Sequence, residues 1–228
     1  MLISGLQKLT LLDYPGKLAA TVFFGGCNFR CPFCHNASLV INPTEGEITE
    51  KELFDFLDSR RGRLEAVCIS GGEPTLRPEL PSLIYSIKEK GFLVKLDTNG
   101  YRPAVLKSLV SDGLIDYVAM DIKNSKEGYA RAVGISDFNI APVCESVEFL
   151  MSGNLDYEFR TTVVKELHTA QDMVSIARWI EGAKNYFLQS FLDSGDIIQS
   201  GFSPCDALEM RAFLTSILPY VPNAQIRG

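Results

Sequence analysis

Residues 18–24, Leu18-Ala19-Ala20-Thr21-Val22-Phe23-Phe24, form a continuous apolar run that leads directly into Gly25 and Gly26. A run without polar alternation is typical of a strand buried on both faces, as the strands of parallel α/β sheets are. Further apolar segments follow, and each alternates with a segment of helical periodicity. The predicted strands are 18–24, 64–70, 92–96, 115–120, 157–163 and 186–189.

The predicted helices complete a repeating strand–helix pattern. The first begins at the capping box Thr49-Glu50-Lys51-Glu52. The others are 81–90, 103–112, 141–151, 172–181 and 204–218, the last with Ser203 as its N-cap. About six such units predict an α/β fold with an open, partial (βα)6 barrel, because a closed barrel needs eight; a flat, doubly wound sheet is the alternative. No linker divides the pattern, so we expect one domain over residues 1–228.

Three cysteines lie in one loop after the first predicted strand. Cys27, Cys31 and Cys34 have the spacing C-x3-C-x2-C, and no fourth cysteine is close in the sequence. Closely spaced thiolates bind soft metals, and iron–sulfur clusters are held by cysteine thiolates. Three protein ligands leave one iron of a four-iron cluster open to another molecule. The spacing therefore indicates a reactive iron–sulfur cluster.

Other interpretations of this loop remain open. A zinc site of the Cys3His type would add His35 to the three cysteines, although the adjacent Cys34 and His35 would reach one tetrahedral ion awkwardly. A chance group of reduced thiols is a further alternative that the tight spacing disfavours. Cys68, Cys144 and Cys205 are far apart in apolar or amphipathic segments, so we expect them to be small buried side chains.

Unusual polar residues follow the ends of the next predicted strands. These segments are Ser70-Gly71-Gly72-Glu73-Pro74, Asp97-Thr98-Asn99-Gly100 and Asp121-Ile122-Lys123, and Arg160 lies within the fifth strand. In parallel α/β folds the carboxyl ends of the strands carry the ligand site. The pattern therefore predicts one shared site, although turn formation alone would explain Asn99-Gly100.

The charged members of these segments suit a zwitterionic ligand. Glu73, Asp97 and Asp121 could bind an ammonium group or a cation. Lys123 and Arg160 suit a carboxylate. A network of internal salt bridges among the same residues is the structural alternative.

The segment Gly71-Gly72-Glu73-Pro74 also has a backbone property. Gly71 and Gly72 lack side chains, so a ligand can approach the main chain closely. Pro74 stiffens the exit from the segment and removes one hydrogen-bond donor. By itself the segment is a moderate signal, and its position after a predicted strand strengthens it.

Composition restricts the function classes. The 228 residues are 46% hydrophobic and 22% charged, as in ordinary globular proteins, and the formal net charge is −6. Without a basic stripe, nucleic acid is a poor candidate partner. The segment from Met1 to Leu6 lacks the pattern of a signal peptide, and no apolar run has the length of a membrane span, so we expect no membrane association and a cytoplasmic location.

The motifs together resemble a known superfamily. Cys27, Cys31 and Cys34, with Phe33 before the last cysteine, and the later Gly71-Gly72-Glu73-Pro74 resemble the radical S-adenosylmethionine superfamily. The segments Asp13-Tyr14-Pro15-Gly16, Cys34-His35-Asn36, Asp97-Thr98-Asn99-Gly100 and Asp121-Ile122-Lys123 resemble the activating enzymes of glycyl radical enzymes. Residues 5–15 are most similar to anaerobic ribonucleoside-triphosphate reductase activating proteins. The resemblance weakens after Val163.

The resemblance implies a mechanism in which the cofactors carry the reaction and no side chain beyond them is catalytic. Cys27, Cys31 and Cys34 would hold a [4Fe–4S] cluster whose open iron binds S-adenosylmethionine. Reductive cleavage would give a 5′-deoxyadenosyl radical that takes hydrogen from a glycine of the partner enzyme. An external electron donor such as flavodoxin or ferredoxin is implied as well.

The resemblance also implies positions around S-adenosylmethionine. Gly72 and its neighbours would contact the methionine amino group, and Phe33 would lie by the adenine. Asp121 and Lys123 would lie along the ribose and the methionine carboxylate. The full implied set is Phe33, Cys34, His35, Gly71, Gly72, Glu73, Pro74, Asp97, Asn99, Asp121, Ile122, Lys123, Arg160 and Gln189. Asp97 with Asp121 also resembles a monovalent-cation site of this group.

Histidine is one residue type in which this chain differs from its family. The related pyruvate formate-lyase activating enzyme has a cofactor-contacting histidine after strand six, where this chain reads Leu188-Gln189-Ser190-Phe191-Leu192. Two alternatives stay open: Gln189 substitutes for the histidine, or the contact is absent. His168 is expected to be solvated in a polar loop. No ferredoxin-like cysteine array is present, so a single cluster is expected.

Three functions are compatible with the sequence. The leading one is a glycyl-radical activating enzyme. A radical enzyme acting on a small molecule is the second, and an electron carrier or zinc-binding module is the third. An electron carrier or zinc-binding module would not require the Gly71–Pro74 and Asp121–Lys123 segments.

Overall fold

The structure is a computed structural model that describes residues 2–41, 43 and 46–227. Within this part of the chain, eight strands form a mostly parallel, open sheet and two short strands pair separately. The strands are β1 Leu2–Ile3, β2 Gly5–Thr10, β3 Ala19–Phe24, β4 Ile48–Thr49, β5 Ala66–Gly71, β6 Leu93–Thr98, β7 Tyr117–Asp121, β8 Asp156–Val163, β9 Tyr186–Ser190 and β10 Ala224–Arg227. The prediction of an α/β fold with an open parallel sheet is confirmed.

The helices separate most of the parallel strands. They are α1 Ala37–Ile41, α2 Glu50–Ser59, α3 Leu80–Glu89, α4 Pro103–Ser111, α5 Tyr129–Val133, α6 Ala141–Ser152, α7 Ala170–Trp179 and α8 Ala207–Ile217, with a 3₁₀ turn at Pro74–Leu76. The predicted capping box of α2 is present, because Thr49 and Glu52 satisfy each other's backbone N–H groups.

Two structural details differ from the sequence-based expectation. The last helix does not begin after Ser203, because Asp206 is its N-cap and forms a capping box with Glu209. Pro204 instead makes an isolated bridge with Val164. The strands β1, β2, β4 and β10 and the short helices α1 and α5 were not predicted. Strand β2 pairs antiparallel to β3 with an irregular register, and it lacks the apolar signature of a buried strand because only Thr10 of its residues is buried.

The described residues group into two compact units, drawn from 1–28, 38–98 and 102–118 for the first and from 29–37, 99–101 and 119–228 for the second. In the first unit β3, β5 and β6 pair in parallel, with Thr21 beside Cys68 and Cys68 beside Lys95. The strands are almost fully buried, and α3 packs against β6. The parallel register places the ends of β3 and β5 together, since Phe24 lies beside Gly71.

In the second unit β8, β9 and β10 pair in parallel, with Arg160 beside Phe187. Helix α8 packs against α7 and against β10. Buried apolar residues such as Phe159, Ile176 and Leu188 form the core of this unit. The expectation of one domain over residues 1–228 stays a prediction. No described helix has both the length and the apolar character needed to cross a membrane.

Candidate active site

In the first unit the end of β5 packs on the main chain that leads to Cys27. Gly72 N donates to Phe24 O and Glu73 N donates to Gly26 O, both at 2.8 Å. A Cβ atom at Gly72 would lie only 2.0 Å from Gly26 O, which no real Cβ tolerates. Glycine is therefore required here by the close approach of two backbone segments, whereas the sequence suggested the approach of a ligand.

Gly71 and Arg77 contact the same stretch of main chain before Cys27. Gly71 has a φ of +116°, and a Cβ there would lie 2.3 Å from Phe24 O. Arg77 Nη2 donates to Gly25 O at 2.6 Å. Cys27, which follows this anchored stretch, is half-buried. The Gly71-Gly72 pair thus fixes the position from which the cysteine loop departs.

Glu73 is a structural capping residue in this unit. Its side chain is buried, and Oε1 accepts from Thr75 N at 3.1 Å, from Thr75 Oγ1 at 2.5 Å and from Thr98 Oγ1 at 2.8 Å. Pro74 begins the 3₁₀ turn that Glu73 caps, where a missing N–H group has no cost. The carboxylate predicted to bind an ammonium group or a cation therefore already serves the turn after β5.

Asp97, the residue before the last of β6, has one charged and one neutral hydrogen-bond donor as partners. Lys95 Nζ lies 2.6 Å from Asp97 Oδ1, and Ser70 Oγ donates to Oδ2 at 3.1 Å. Lys95 is only 1% exposed. Sequence analysis did not single out Lys95, although a lysine inside the apolar segment Leu93-Val94-Lys95-Leu96 is the signal that could have identified it.

The second unit contains the other two cysteines of the loop, Cys31 and Cys34. Cys31 is buried and Cys34 is half-buried, and Cys34 N donates to Cys31 O at 3.0 Å, which closes a turn between them. Arg30 N donates to Val133 O at 2.9 Å, and Gln199 N donates to Pro32 O at 2.9 Å. Backbone hydrogen bonds from two other segments therefore hold this part of the loop.

Phe33 and His35 flank Cys34 in the same loop. Phe33 is buried, and the His35 ring packs edge-on against Phe191 with the ring centres 5.3 Å apart. Burial lowers the pKa of His35, the positive charge of Lys123 lowers it further, and Asp193 acts in the opposite direction. His35 Nε2 is a buried nitrogen without a hydrogen-bond partner in the described structure. Such an atom fits the wall of a ligand site.

Asp121, Lys123 and Arg160 form an ion network. Arg160 Nε donates to Asp121 Oδ1 at 2.9 Å, and Lys123 Nζ donates to Oδ2 at 3.0 Å. The side chains are between 13% and 27% exposed. The three charged groups meet in the salt-bridge network that the sequence left as an alternative, and their role in a ligand site stays a prediction.

The electrostatics of this network extend to the cysteines. Burial alone would raise the pKa of Asp121, but Arg160 and Lys123 outweigh it and hold the pKa at about 2. Burial alone would lower the pKa of Lys123, but Asp121 first, then Cys31 and Cys34, raise it well above its ordinary value. Lys123 is therefore charged and lies close enough to both thiols to interact with them.

The remaining predicted site residues of this unit occupy strand ends and turns. Asn99 is buried, and its Oδ1 accepts from Tyr101 N at 3.0 Å, as in an Asx turn. Ile122 is buried, and its N–H donates to Arg160 O at 2.8 Å. Gln189 is half-buried near the end of β9. The Asn99 contact matches the turn that was the alternative for Asn99-Gly100.

The expectation for His168 was wrong. Its side chain is buried at 3% exposure, Nδ1 accepts from Val164 N at 3.0 Å, and Nε2 lies 3.0 Å from Lys123 O. The surrounding polar sequence suggested solvent, but the backbone groups of Val164 and Lys123 supply the hydrogen bonds that a buried imidazole needs. His168 thus braces the main chain at Lys123.

The cysteines fit a metal centre in chemistry, and their ligand geometry stays a prediction. All six lie in the described residues as thiols, and Cys68 and Cys205 are buried while Cys144 is half-buried. Within the described parts of the chain, no three His, Cys, Asp or Glu side chains are grouped to hold a metal ion. The charge of Lys123 nevertheless suits two neighbouring thiolate ligands, because it offsets their negative charge.

Comparison with known proteins identifies relatives over most of the chain. The family profile of the radical SAM superfamily matches residues 21–180. A Methanocaldococcus jannaschii protein, provisionally named a glycyl-radical enzyme activating enzyme, is 35% identical over 194 residues, which are 83% of this chain and 80% of that protein. The pyruvate formate-lyase-activating enzyme of Clostridium pasteurianum is 32% identical over 58% of this chain and 57% of its own length.

A solved structure shows the same fold. Streptococcus suis SuiB, bound to the precursor peptide SuiA, aligns with a TM-score of 0.73 at 14% sequence identity. The alignment covers 91% of this chain and 48% of SuiB, so this chain corresponds to about half of that protein.

Proposed function

The chain belongs to the radical SAM superfamily, and from this premise we propose that it is an activating enzyme that generates a glycyl radical on a partner enzyme. The observation that carries the proposal is the ion network of Asp121, Lys123 and Arg160, in which the charge of Lys123 also acts on Cys31 and Cys34. Relatives of the chain include proteins named as activating enzymes. A cation beside two thiols suits a site that holds a thiolate-bound cluster and the carboxylate of its cofactor.

The proposed cofactors are a [4Fe–4S] cluster and S-adenosylmethionine. Cys27, Cys31 and Cys34 are the proposed ligands. When bound, these groups supply one-electron reduction of the sulfonium and the organic radical that removes hydrogen from glycine. The half-buried position of Cys34 and the burial of Cys31 would limit the access of water to such a centre.

Asp121, Lys123 and Arg160 are proposed to orient the amino acid part of S-adenosylmethionine. Both carboxylate oxygens of Asp121 accept hydrogen bonds from cations. We therefore give Asp121 the role of aligning Lys123 and Arg160, and give Lys123, an ammonium with three N–H donors, the direct contact to a carboxylate. His168 supports this arrangement because it braces the main chain at Lys123.

The other proposed cofactor contacts rest on the sequence resemblance. Phe33 provides an apolar face for adenine, and His35 offers its buried Nε2. The remaining proposed contacts are Cys34, Gly71, Gly72, Glu73, Pro74, Asp97, Asn99, Ile122 and Gln189. The backbone of Gly71 and Gly72 is proposed to face the methionine amino group as well as the cysteine loop.

The proposed partner is anaerobic ribonucleoside-triphosphate reductase, and a flavodoxin or ferredoxin is the proposed electron donor. The partner rests on the resemblance of residues 5–15 and on the activating-enzyme relatives. The net charge of −6 is in line with a partner other than nucleic acid.

Electron paramagnetic resonance tests this function directly. Anaerobically reconstituted protein, S-adenosylmethionine and a reductant are mixed with the reductase of the same organism. We expect a glycyl radical signal that is missing when either protein or S-adenosylmethionine is omitted, and that Cys31→Ala abolishes. Formation of 5′-deoxyadenosine without a glycyl signal on any candidate partner would instead favour a small-molecule substrate. No cleavage of S-adenosylmethionine would favour an electron carrier or zinc module.

A further inference from the structure

Strand β6 contains a lysine that is buried in the first unit. Lys95 is 1% exposed and lies between the buried residues Val94 and Leu96. Side chains two residues apart on a strand share a face, so Lys95 and Asp97 point to the same side. Their charged groups meet, with Nζ 2.6 Å from Oδ1 of Asp97. A buried ammonium needs such a partner, because an isolated buried charge is very unfavourable.

Asp97 is the counter-charge of Lys95, as the neighbouring groups show. Cys68 lies next to Lys95 in the parallel register of β5 and β6. Burial raises the pKa of Cys68 to about 12, even though Lys95 opposes this, so Cys68 is a neutral thiol at physiological pH. Asp13, whose charge also raises the pKa of Cys68, accepts a hydrogen bond from Thr21 Oγ1 at 2.5 Å. Lys95 forms an ion pair with Asp97.

Both oxygens of Asp97 already have donors. Lys95 serves Oδ1, and Ser70 Oγ donates to Oδ2 at 3.1 Å. A metal cation that took over Oδ1 would separate the buried Lys95 ammonium from its carboxylate, and breaking one side of a buried pair is strongly unfavourable. In the second unit, Asp121 likewise has Arg160 on one oxygen and Lys123 on the other.

We propose that Lys95 supplies the positive charge at Asp97, so that this protein uses no monovalent cation there. The sequence resemblance led us to expect such a cation at Asp97 and Asp121, and the ion pairs on the two carboxylates do not fit it. Lys95 is thus a positioning residue that holds Asp97 at the end of β6. The proposal rests on the proposed binding of S-adenosylmethionine only for its second readout below.

The test compares the wild type with Lys95→Ala in chloride salts of K⁺, Na⁺, ammonium and bulky tetramethylammonium at equal ionic strength. The first readout is the thermal unfolding midpoint of the purified protein. The wild type is expected to unfold at the same temperature in all four salts. The midpoint of Lys95→Ala is expected to be lower and to rise with K⁺ or ammonium concentration, because a cation that binds only the folded state stabilises it.

The second readout is the affinity of reconstituted protein for S-adenosylmethionine, measured by calorimetry. The wild type should bind equally in every salt. Lys95→Ala should bind roughly tenfold or more weakly in tetramethylammonium and recover to within about threefold in ammonium, because the small cation fills the site of the lost charge. Lys88→Ala is the matched control, since it removes a half-buried ion pair with Asp116 in the same unit. It should create no cation dependence.

Two results would overturn the proposal. One is a wild-type midpoint or affinity that requires K⁺ or Na⁺. The other is a Lys95→Ala protein that is as indifferent to the cation as the wild type in both readouts. Failure of all proteins to bind S-adenosylmethionine in any salt would contradict the proposed function, while the unfolding midpoints would still decide the role of Lys95. If Lys95→Ala does not fold, the wild-type salt series and the more conservative Lys95→Met decide it.

Discussion

The Arg160 guanidinium lies 2.9 Å from Asp121 through its Nε and Oδ1 atoms, while Lys123 holds the other carboxylate oxygen. One acid thus sets the positions of two cations from different parts of the chain. The hydrogen bond from Ile122 N to Arg160 O joins the same two segments through the main chain. This relationship makes Asp121 the residue whose loss should disturb the site most.

Replacement of Asp121 by Asn keeps the shape and removes the charge. We expect the affinity for S-adenosylmethionine to fall roughly ten- to a hundredfold, since Lys123 and Arg160 lose the group that aligns them. Calorimetry on reconstituted protein measures it, with iron content as the check that the cluster is retained. Asp116→Asn, which loses a half-buried ion pair with Lys88, should leave the affinity unchanged. Equal loss in both variants would refute the role of Asp121.

Removal of any one loop cysteine should prevent stable cluster assembly. Cys27→Ala, Cys31→Ala and Cys34→Ala are expected to lose most of the iron and sulfide that the wild type retains after anaerobic reconstitution, because each is a proposed ligand. Cys144→Ala and Cys205→Ala are the controls and should retain wild-type iron content. Wild-type iron content in Cys31→Ala would contradict the three-ligand assignment.

Gly72→Ala should damage the base of the cysteine loop through sterics alone. The new Cβ would meet Gly26 O at 2.0 Å, so the two backbone segments must move apart. We expect a loss of about 1–3 kcal/mol in the free energy of unfolding, typical of overpacking, together with lower iron content. Denaturant titration measures the first quantity. Gly153→Ala, which has an ordinary φ of −90° and a nearest contact of 3.3 Å, should change neither by much.

His168 should make stability depend on pH. Burial lowers its pKa below the ordinary value of 6.5; the hydrogen bonds of Lys123 and Val164 and the charge of Asp172 oppose this, and Arg131 adds to the lowering. The unfolded chain then binds the proton more readily than the folded chain. The contribution of His168 to the free energy of unfolding is therefore fully present above pH 6.5, and it is lost as the pH falls through the folded pKa.

Denaturant unfolding at about pH 7.5 and about pH 5.5 checks this expectation. The wild type should lose stability on acidification, and His168→Gln should lose less between the same two values. His35 also has a lowered pKa and should account for part of the remaining change. An identical pH dependence in His168→Gln and the wild type would show that His168 does not titrate in this range.

The succession of the central strands along the chain and the polar segments at their ends could be predicted from local sequence. Apolar residues follow one another without alternation in residues 18–24 and at the centre of 64–70. The segments with Gly71 and Asp97 do lie where β5 and β6 end. Both features depend on near neighbours in the chain, which is why periodicity and turn chemistry identify them.

The partners of the polar groups could not be predicted in this way. The burial of His168 depends on a backbone carbonyl 45 residues away, and the salt bridge from Arg160 to Asp121 spans 39 residues. The close approach of Gly72 to Gly26 also arises only when β3 and β5 pair. Such contacts are set by strand register, which no local pattern contains.

Transfer of hydrogen from the partner is the most direct test of the central claim. The candidate reductase is prepared with deuterated glycine, and reduced protein and S-adenosylmethionine are added without oxygen. The 5′-deoxyadenosine formed is then analysed by mass spectrometry. The account predicts that one deuterium appears in 5′-deoxyadenosine in proportion to the glycyl radical produced. Unlabelled 5′-deoxyadenosine alongside a full glycyl signal would contradict it, because the radical would then not take its hydrogen from glycine.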